Sequence, residues 1–299
     1  MENKLIFMDV DGTLCNPSGI VPDSAKTAIK TARSNGHKIF LCTGRSKPEI
    51  IDEILEVGFD GVIGAGGGYI EIKNTVLEHK LMPEKDVRDI IDYFEKHTIG
   101  YYIESNSGLF GSANCLSSII SQISNGAIEG SVEYEQAIAE FDWFKKILDD
   151  NAGKAIDYGF VNKISFISNG HPYDAVASKF GDTFQMHRTT VAQFGPQSGE
   201  VSIKDVNKAT AIATVLDELD IDIKHTLGYG DGNNDIDMFN AVAHGVAMEN
   251  ATPSLKALSH EITPTADDHG IALSFKKKRL HLKKTSKKEF LYHANVQTT

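Results

Sequence analysis

The stretch Leu5-Ile-Phe-Met-Asp-Val-Asp-Gly-Thr13 decides the reading of this chain. Four apolar residues in a row describe a short strand buried on both faces, the kind found inside parallel sheets covered by helices. The run breaks at once into two carboxylates one residue apart, then Gly12 and Thr13. Two acids so close at the end of a buried strand repel each other, and a divalent cation relieves that repulsion. All-oxygen ligands of this kind suit Mg²⁺. A plain turn is the competing reading, because Asp and Gly are common turn residues.

Working outward, the strand is followed by a helical pattern from Pro22-Asp23 to Ala32, closed by Asn35-Gly36. A second strand, His37 to Cys42, runs into Thr43-Gly-Arg-Ser46. A helix from about Pro48 to Glu56 and a strand near Gly61-Val-Ile63 follow. The same alternation returns late in the chain. Val206 to Leu219 is helical, His225 to Gly230 is a strand ending in Asp231-Gly-Asn-Asn-Asp235, and Gly245-Val-Ala-Met248 is another strand. Thr252 and Pro253 mark a helix start. Strands alternating with helices over short connections predict a doubly wound, Rossmann-like parallel sheet.

Between residues 83 and 190 the rhythm changes. Strands at Tyr101–Ile103, Lys163–Ile167 and Thr183–Met186 alternate with helical patterns at Lys85–His97, Glu135–Leu148 and Pro172–Phe180. The expected organisation is a core from 1–82 and 191–275, an inserted second α/β domain at 83–190, and a basic tail at 276–299.

Ligands of a doubly wound sheet bind outside the carboxyl ends of its strands. Three polar clusters fall there: Asp9, Asp11 and Thr13; Thr43, Gly44 and Arg45; and Asp231, Asn234 and Asp235. Thr43 and Gly44 enter a helix, where backbone N–H groups favour a phosphate. Lys208 lies near a helix start, with Lys204 as a competitor that spacing does not exclude. Gly64-Ala-Gly-Gly-Gly68 lacks the endings of a phosphate-cradling loop and reads as a turn.

Composition bounds the rest. The 299 residues are 41% hydrophobic and 24% charged, ordinary values for a globular chain, with a net charge of −11. Eight of the 30 Lys and Arg residues lie in 276–299, beside one acid, Glu289, so the first 275 residues are strongly acidic. An acidic body argues against nucleic-acid binding outside that tail. We expect the tail to be loosely held. No apolar run is long enough to span a membrane, the first residues do not resemble a signal peptide, and three scattered cysteines read as reduced thiols. These features predict a cytoplasmic protein.

Taken in order, Asp9-Val-Asp-Gly-Thr13, Thr43-Gly-Arg45, Lys208 and Gly230-Asp-Gly-Asn-Asn-Asp235 resemble the four motifs of the haloacid dehalogenase (HAD) superfamily. Gly245-Val-Ala-Met-Glu-Asn-Ala251 and Asp267-Asp-His-Gly-Ile-Ala272 resemble its Cof-type subfamily IIB phosphatases. Glu249 and Ala209 depart from the glycines usual at their positions. The resemblance spans about residues 3–275 and implies a C2-type cap on the Rossmann-like core.

It also implies roles. Asp9 would be the nucleophile that forms an aspartyl-phosphate, and Asp11 the general acid and base. Val10, Thr13, Thr43, Gly44, Arg45, Lys208 and Asn234 would bind phosphate or substrate. Mg²⁺ would be held by the carboxylates of Asp9 and Asp231 and the main chain of Asp11, with Asp235 beside them. The implied activity is Mg²⁺-dependent hydrolysis of a small phosphorylated metabolite, such as a sugar phosphate. The alternatives are a phosphomutase or phosphotransferase of the same superfamily, and a non-catalytic phosphometabolite-binding protein. Asp11 argues against a dehalogenase. Specificity is expected in the inserted domain, with Glu104, Asn106, Phe110 and His187 as candidates.

Overall fold

The computed structural model describes residues 2–189 and 191–282. By its contacts the chain divides into two compact units. One takes residues up to Leu41, Glu53–Asp60 and the segment from Leu216 onward. The other takes Cys42–Asp52 and Gly61–Val215.

In the first unit, Leu5–Met8 is a fully buried strand, as its apolar run requires. It lies between Thr226–Gly230 and Lys38–Cys42, parallel to both, with Leu5 opposite Thr226 on one side and Lys38 on the other. Gly245–Met248 and Glu261–Thr263 extend the sheet beyond Thr226–Gly230, again parallel. The chain therefore winds one way from Leu5–Met8 to Lys38–Cys42, and a much later segment fills the opposite side. Strand order reverses there, at the switch point where α/β sheets place ligands.

Helices Asp23–Ser34 and Gly270–Lys277 pack together beside this sheet. The Phe7 and Phe40 rings meet at 5.9 Å, and Tyr229 lies edge-on to Phe275 at 5.6 Å. The Tyr229 hydroxyl is not stranded in this core, because Ser274 Oγ sits 2.9 Å away. Pro253–Leu258 begins as expected: Thr252 Oγ1 accepts the Leu255 N–H at 3.4 Å.

The second unit carries a five-stranded antiparallel sheet in the order Gly108–Gly111, Gly100–Ser105, Lys163–Ile167, Gly199–Ile203, Phe184–Arg188. Its strands alternate cleanly. Tyr101, Ile103, Ile164, Phe166 and Val201 join one apolar cluster with helices Glu84–Lys96 and Tyr173–Phe180. Tyr102 meets a second cluster with Cys115–Ile123 and Asp142–Asn151. Tyr102 shares that second face with Glu104, Lys163, Ser165 and Glu200, so the face is apolar at one end and charged at the other. Gly61–Gly64, Tyr69–Ile72 and Thr75–His79 pair in turn as an antiparallel meander.

Several expectations need correction. The inserted sheet does not end near residue 190, since Gly199–Ile203 is one of its inner strands. The helical pattern 135–148 is two helices, Val132–Glu140 and Asp142–Asn151, broken at Phe141. The helix 48–56 is a 3₁₀ turn at Lys47–Glu49 and a short helix at Asp52–Leu55.

The basic segment also begins inside the fold. Lys278 Nζ contacts Glu261 at 2.8 Å, and Leu280 is 2% exposed, its carbonyl accepting from Asn35 Nδ2 at 3.1 Å. Lys283, Lys284, Lys287, Lys288 and Glu289 lie outside the described residues. Among the described residues, no helix is long and apolar enough to cross a membrane.

A buried leucine truncated to alanine costs about 2–5 kcal/mol. We expect Leu280→Ala to lower the unfolding free energy by about 2 kcal/mol or more, measured by urea denaturation. An unchanged midpoint would mean that Leu280 adds nothing to the core.

Candidate active site

The end of Leu5–Met8 is locked in place by backbone bonds. Asp9 N–H donates to the Tyr229 carbonyl at 3.0 Å, continuing the sheet by one residue. The chain then folds back tightly: the Val10 carbonyl accepts from Thr13 at 3.4 Å and from Cys15 at 2.9 Å, and the Asp9 carbonyl accepts from Leu14 at 3.3 Å. Val10 and Thr13 are fully buried, and Asp9 is 4% exposed.

The neighbouring strand delivers Asp231, so the switch point juxtaposes acids from the two ends of the chain. Carboxylate oxygens of Asp9, Asp231 and Asp235 lie within 4.8 Å of one another. The Asp11 side chain is not in that group and is exposed.

Asp231 and Asp235 are oriented by donors. Thr13 Oγ1 donates to Asp231 Oδ1 at 3.0 Å, and Asn250 Nδ2 donates to Asp231 Oδ2 at 3.1 Å and to the Gly12 carbonyl at 3.0 Å. Asp235 Oδ2 accepts the backbone N–H groups of Asp231 and Gly232, each at 3.0 Å. Asp235 thus shapes the turn with one oxygen. Asn234 sits exposed on the same turn. Gly12 has φ +71, and a Cβ there would stand 2.3 Å from Asp231 Oδ2. Only glycine lets the two acidic turns approach this closely.

Asn250 was not singled out from sequence as a site residue. It lies in the Gly245–Ala251 segment that resembles the subfamily pattern, but nothing in its spacing announced a contact with Asp231.

In the second unit, Thr43 and Lys208 are both buried, at 1% and 3% exposure, and Gly44 and Arg45 are partly buried. Arg45 N–H donates to Thr43 Oγ1 at 3.1 Å. Asn207 Oδ1 accepts the Thr210 N–H at 2.9 Å, which starts the helix Lys208–Leu219 and sets Lys208 at its first position. The competitor Lys204 is exposed, its Nζ donating to the Asp182 carbonyl at 2.5 Å.

The glycine loop links these two pieces. Ala65 N–H donates to the Arg45 carbonyl at 2.8 Å and Gly66 N–H to the Thr43 carbonyl at 3.1 Å. Gly67, at φ +115, presses on Asn207, where a Cβ would fall 2.2 Å from the carbonyl oxygen. The segment is therefore more than a turn: it seats Thr43–Arg45 beside the start of the Lys208 helix.

Ser46 next to Arg45 enters a buried charged network that sequence reasoning did not find. Its Oγ donates to Glu104 Oε2 at 3.1 Å and receives Asn162 Nδ2 at 3.1 Å, and its N–H donates to Glu49 Oε2 at 2.8 Å. Ser165 Oγ donates to Glu104 Oε1 at 2.6 Å. Lys163 Nζ lies 3.3 Å from Glu104 and 2.9 Å from Glu200. Two carboxyl groups thus hold one ammonium. Burial holds the Glu104 carboxyl well above its ordinary value and raises Glu49 as well, with the Lys163 charge opposing in both cases.

Of the specificity candidates, Glu104 is 1% exposed and committed to this network. Asn106 accepts from Asn162 Nδ2 at 2.9 Å, Phe110 is buried in the apolar cluster, and His187 is exposed.

The sequence of this chain matches the family model for haloacid dehalogenase-like hydrolases over residues 6–275. The chain belongs to that family. Phosphatase YwpJ of Bacillus subtilis is 25% identical over 90% of this chain and 97% of its own length. The 5-amino-6-(5-phospho-D-ribitylamino)uracil phosphatase YcsE of Bacillus subtilis is also 25% identical, over 91% of this chain and 94% of its own. Among solved structures, the HAD subclass IIB sugar phosphatase BT4131 superposes with a TM-score of 0.67 at 22% identity. It covers 93% of this chain and all of that one. At this identity the likeness shows the fold, a Rossmann-like core with a cap. This HAD hydrolase therefore has the architecture expected from its motifs.

The buried network predicts a pH dependence. A carboxyl whose folded value is raised binds its proton in the folded state and releases it in the unfolded state. Its contribution is complete below the ordinary glutamate value of 4.5 and is lost as pH rises through the folded value. The melting temperature of the wild type should fall as pH is raised from about 5 upward. Glu104→Gln needs no proton and should show a shallower fall; parallel profiles for the two proteins would contradict a proton held by the buried Glu104 carboxyl.

Proposed function

We propose that this hydrolase is a Mg²⁺-dependent phosphatase that cleaves a small phosphorylated metabolite, such as a sugar phosphate, through an aspartyl-phosphate on Asp9. The observation that carries this reading is the group formed by Asp9, Asp231 and Asp235. Curated relatives that align over most of their length are named phosphatases, which supports the same reaction class.

The donor set fits Mg²⁺. Three carboxylates with converging oxygens repel one another without a cation, and oxygen-only ligands match a hard divalent ion. Asp9 and Asp231 would hold it, with the Asp11 main-chain carbonyl as a further ligand. Asp235, which spends one oxygen on backbone donors, would orient Asp231 or add its other oxygen. When bound, Mg²⁺ would offset the charge of the carboxylates and of the phosphoryl group.

The chain's own residues would do the rest. An Asp9 carboxylate oxygen attacks phosphorus, and the bond from phosphorus to the leaving oxygen breaks. Asp11 gives that oxygen its proton, then takes one from the water that attacks the acyl phosphate, releasing inorganic phosphate and restoring Asp9. The exposure of Asp11 beside the buried Asp9 suits a group that exchanges protons with solvent and substrate. Thr43, Gly44 and Lys208 would bind the phosphoryl oxygens, with Val10, Thr13, Arg45 and Asn234 completing phosphate and substrate contacts. Such positioning and charge stabilisation carry most of phosphoryl-transfer catalysis. The buried cysteines Cys15, Cys42 and Cys115 are not in disulfides, which suits a reducing compartment, in line with a cytoplasmic setting.

Asp9→Asn should reduce phosphate release from p-nitrophenyl phosphate by about a thousandfold or more, with the melting profile of a folded protein. Asp11→Asn should slow both steps, and a phosphorylated Asp9 should then be recoverable by mass spectrometry. Near wild-type turnover in Asp9→Asn would refute the nucleophile. Transfer of the phosphoryl group to a second sugar instead of water would identify a mutase or phosphotransferase.

A further inference from the structure

Trp143 is the chain's single tryptophan. It stands in the helix Asp142–Asn151, whose Phe144 and Leu148 are buried in the apolar cluster. The indole is not: Trp143 is 41% exposed. The Arg45 guanidinium lies over it, 5.0 Å from the ring centre. Arg45 is itself held, with Nη1 donating to the Glu49 carbonyl at 2.6 Å and its N–H donating to Thr43 Oγ1 at 3.1 Å. A flat apolar surface is thus fixed, through one side chain, to the loop assigned above to the phosphoryl group.

The residues nearest that loop divide into two kinds. Those of the buried network are already engaged: Glu104 accepts from Ser46 and Ser165 and pairs with Lys163, and Asn162 donates to Ser46 and Asn106. Trp143, which Arg45 covers on one side, is a large apolar group that remains partly uncovered. An exposed indole gains when a ring covers it, because both surfaces leave water and the aromatic face attracts polarised C–H groups and other π-faces.

We propose that Trp143 is a specificity residue that stacks against the flat face of a cyclic leaving group, a sugar ring or a heteroaromatic ring, in the phosphate ester that this enzyme cleaves. The assignment rests on the phosphatase reading. It makes ring-bearing esters better substrates than acyclic ones, with the gain expressed chiefly in KM. The simpler role, a prop for Arg45, would affect every substrate alike.

The test is kcat/KM for wild type, Trp143→Phe and Trp143→Ala on glucose 6-phosphate, p-nitrophenyl phosphate and glycerol 3-phosphate. Stacking on an aromatic side chain is worth enough to change affinity by roughly tenfold. Trp143→Ala should lose about that factor on whichever ring-bearing ester the wild type prefers, through KM, and Trp143→Phe should restore most of it. Turnover of glycerol 3-phosphate should change by less than about twofold. Which ring-bearing ester suffers more separates a sugar ring from an aromatic one.

Because Trp143 is the sole indole, the emission of Asp9→Asn protein should also change saturably on adding the preferred ring-bearing ester and not on adding glycerol 3-phosphate. Equal losses on all three esters, or no loss on any, would overturn the proposal. Wild-type activity confined to glycerol 3-phosphate would overturn it too and leave the phosphatase reading intact. No turnover of any ester would remove the phosphatase reading and the proposal with it.

Discussion

Carboxylates repel, and this fold gathers three of them at one point. Asp9, Asp231 and Asp235 come together because Leu5–Met8 and Thr226–Gly230 are adjacent parallel strands whose carboxyl ends coincide. At about 4 Å, two like charges cost on the order of 1 kcal/mol in water and several times that in a partly buried site. The surrounding structure offsets part of that repulsion. Thr13, Asn250 and the N–H groups of Asp231 and Gly232 all donate to these carboxylates, and Gly12 supplies the clearance. Much of the first unit can be read as a frame that holds this group in place for a cation.

The second unit solves a different problem. It must fix a short loop, Thr43–Ser46, at atomic precision without regular structure to hold it. It does so from two directions. Gly64–Gly68 supplies backbone donors on one side, and Glu49, Glu104 and Asn162 grip Ser46 on the other. Loops assigned to ligand binding depend on such supports, since a small displacement of a phosphate donor weakens an interaction that acts only at close range.

Much of this was legible in the sequence, and the parts that were not have physical reasons. Leu5–Met8 could only be a buried strand, and the acids after it could only stand at its carboxyl end. The group of Asp9, Asp231 and Asp235 follows from strand order. The choice of Lys208 over Lys204 did not follow from spacing, because four residues separate a buried helix start from an exposed coil in ways that only packing decides. The hairpin at Tyr69–His79 escaped notice because its turn, Lys73-Asn74, has both residues at positive φ without the glycine that usually marks such a turn. The charged network was invisible for another reason. Glu49, Glu104, Lys163 and Glu200 are polar residues that sequence patterns assign to solvent, and only the register of three strands and one turn brings them together, with the first three buried. The basic segment misled in the same way: Leu280, among eight lysines and arginines, is a core residue.

The central claim is that the three-carboxylate group is a cation site, and calorimetric titration of Mg²⁺ into the protein tests it most directly, without substrate or turnover. The account predicts saturable binding at one site per chain, abolished or weakened at least about tenfold when Asp231 is changed to Asn, because the amide removes one of the charges that the ion offsets. Absence of saturable binding, or binding that Asp231→Asn leaves unchanged, would contradict it.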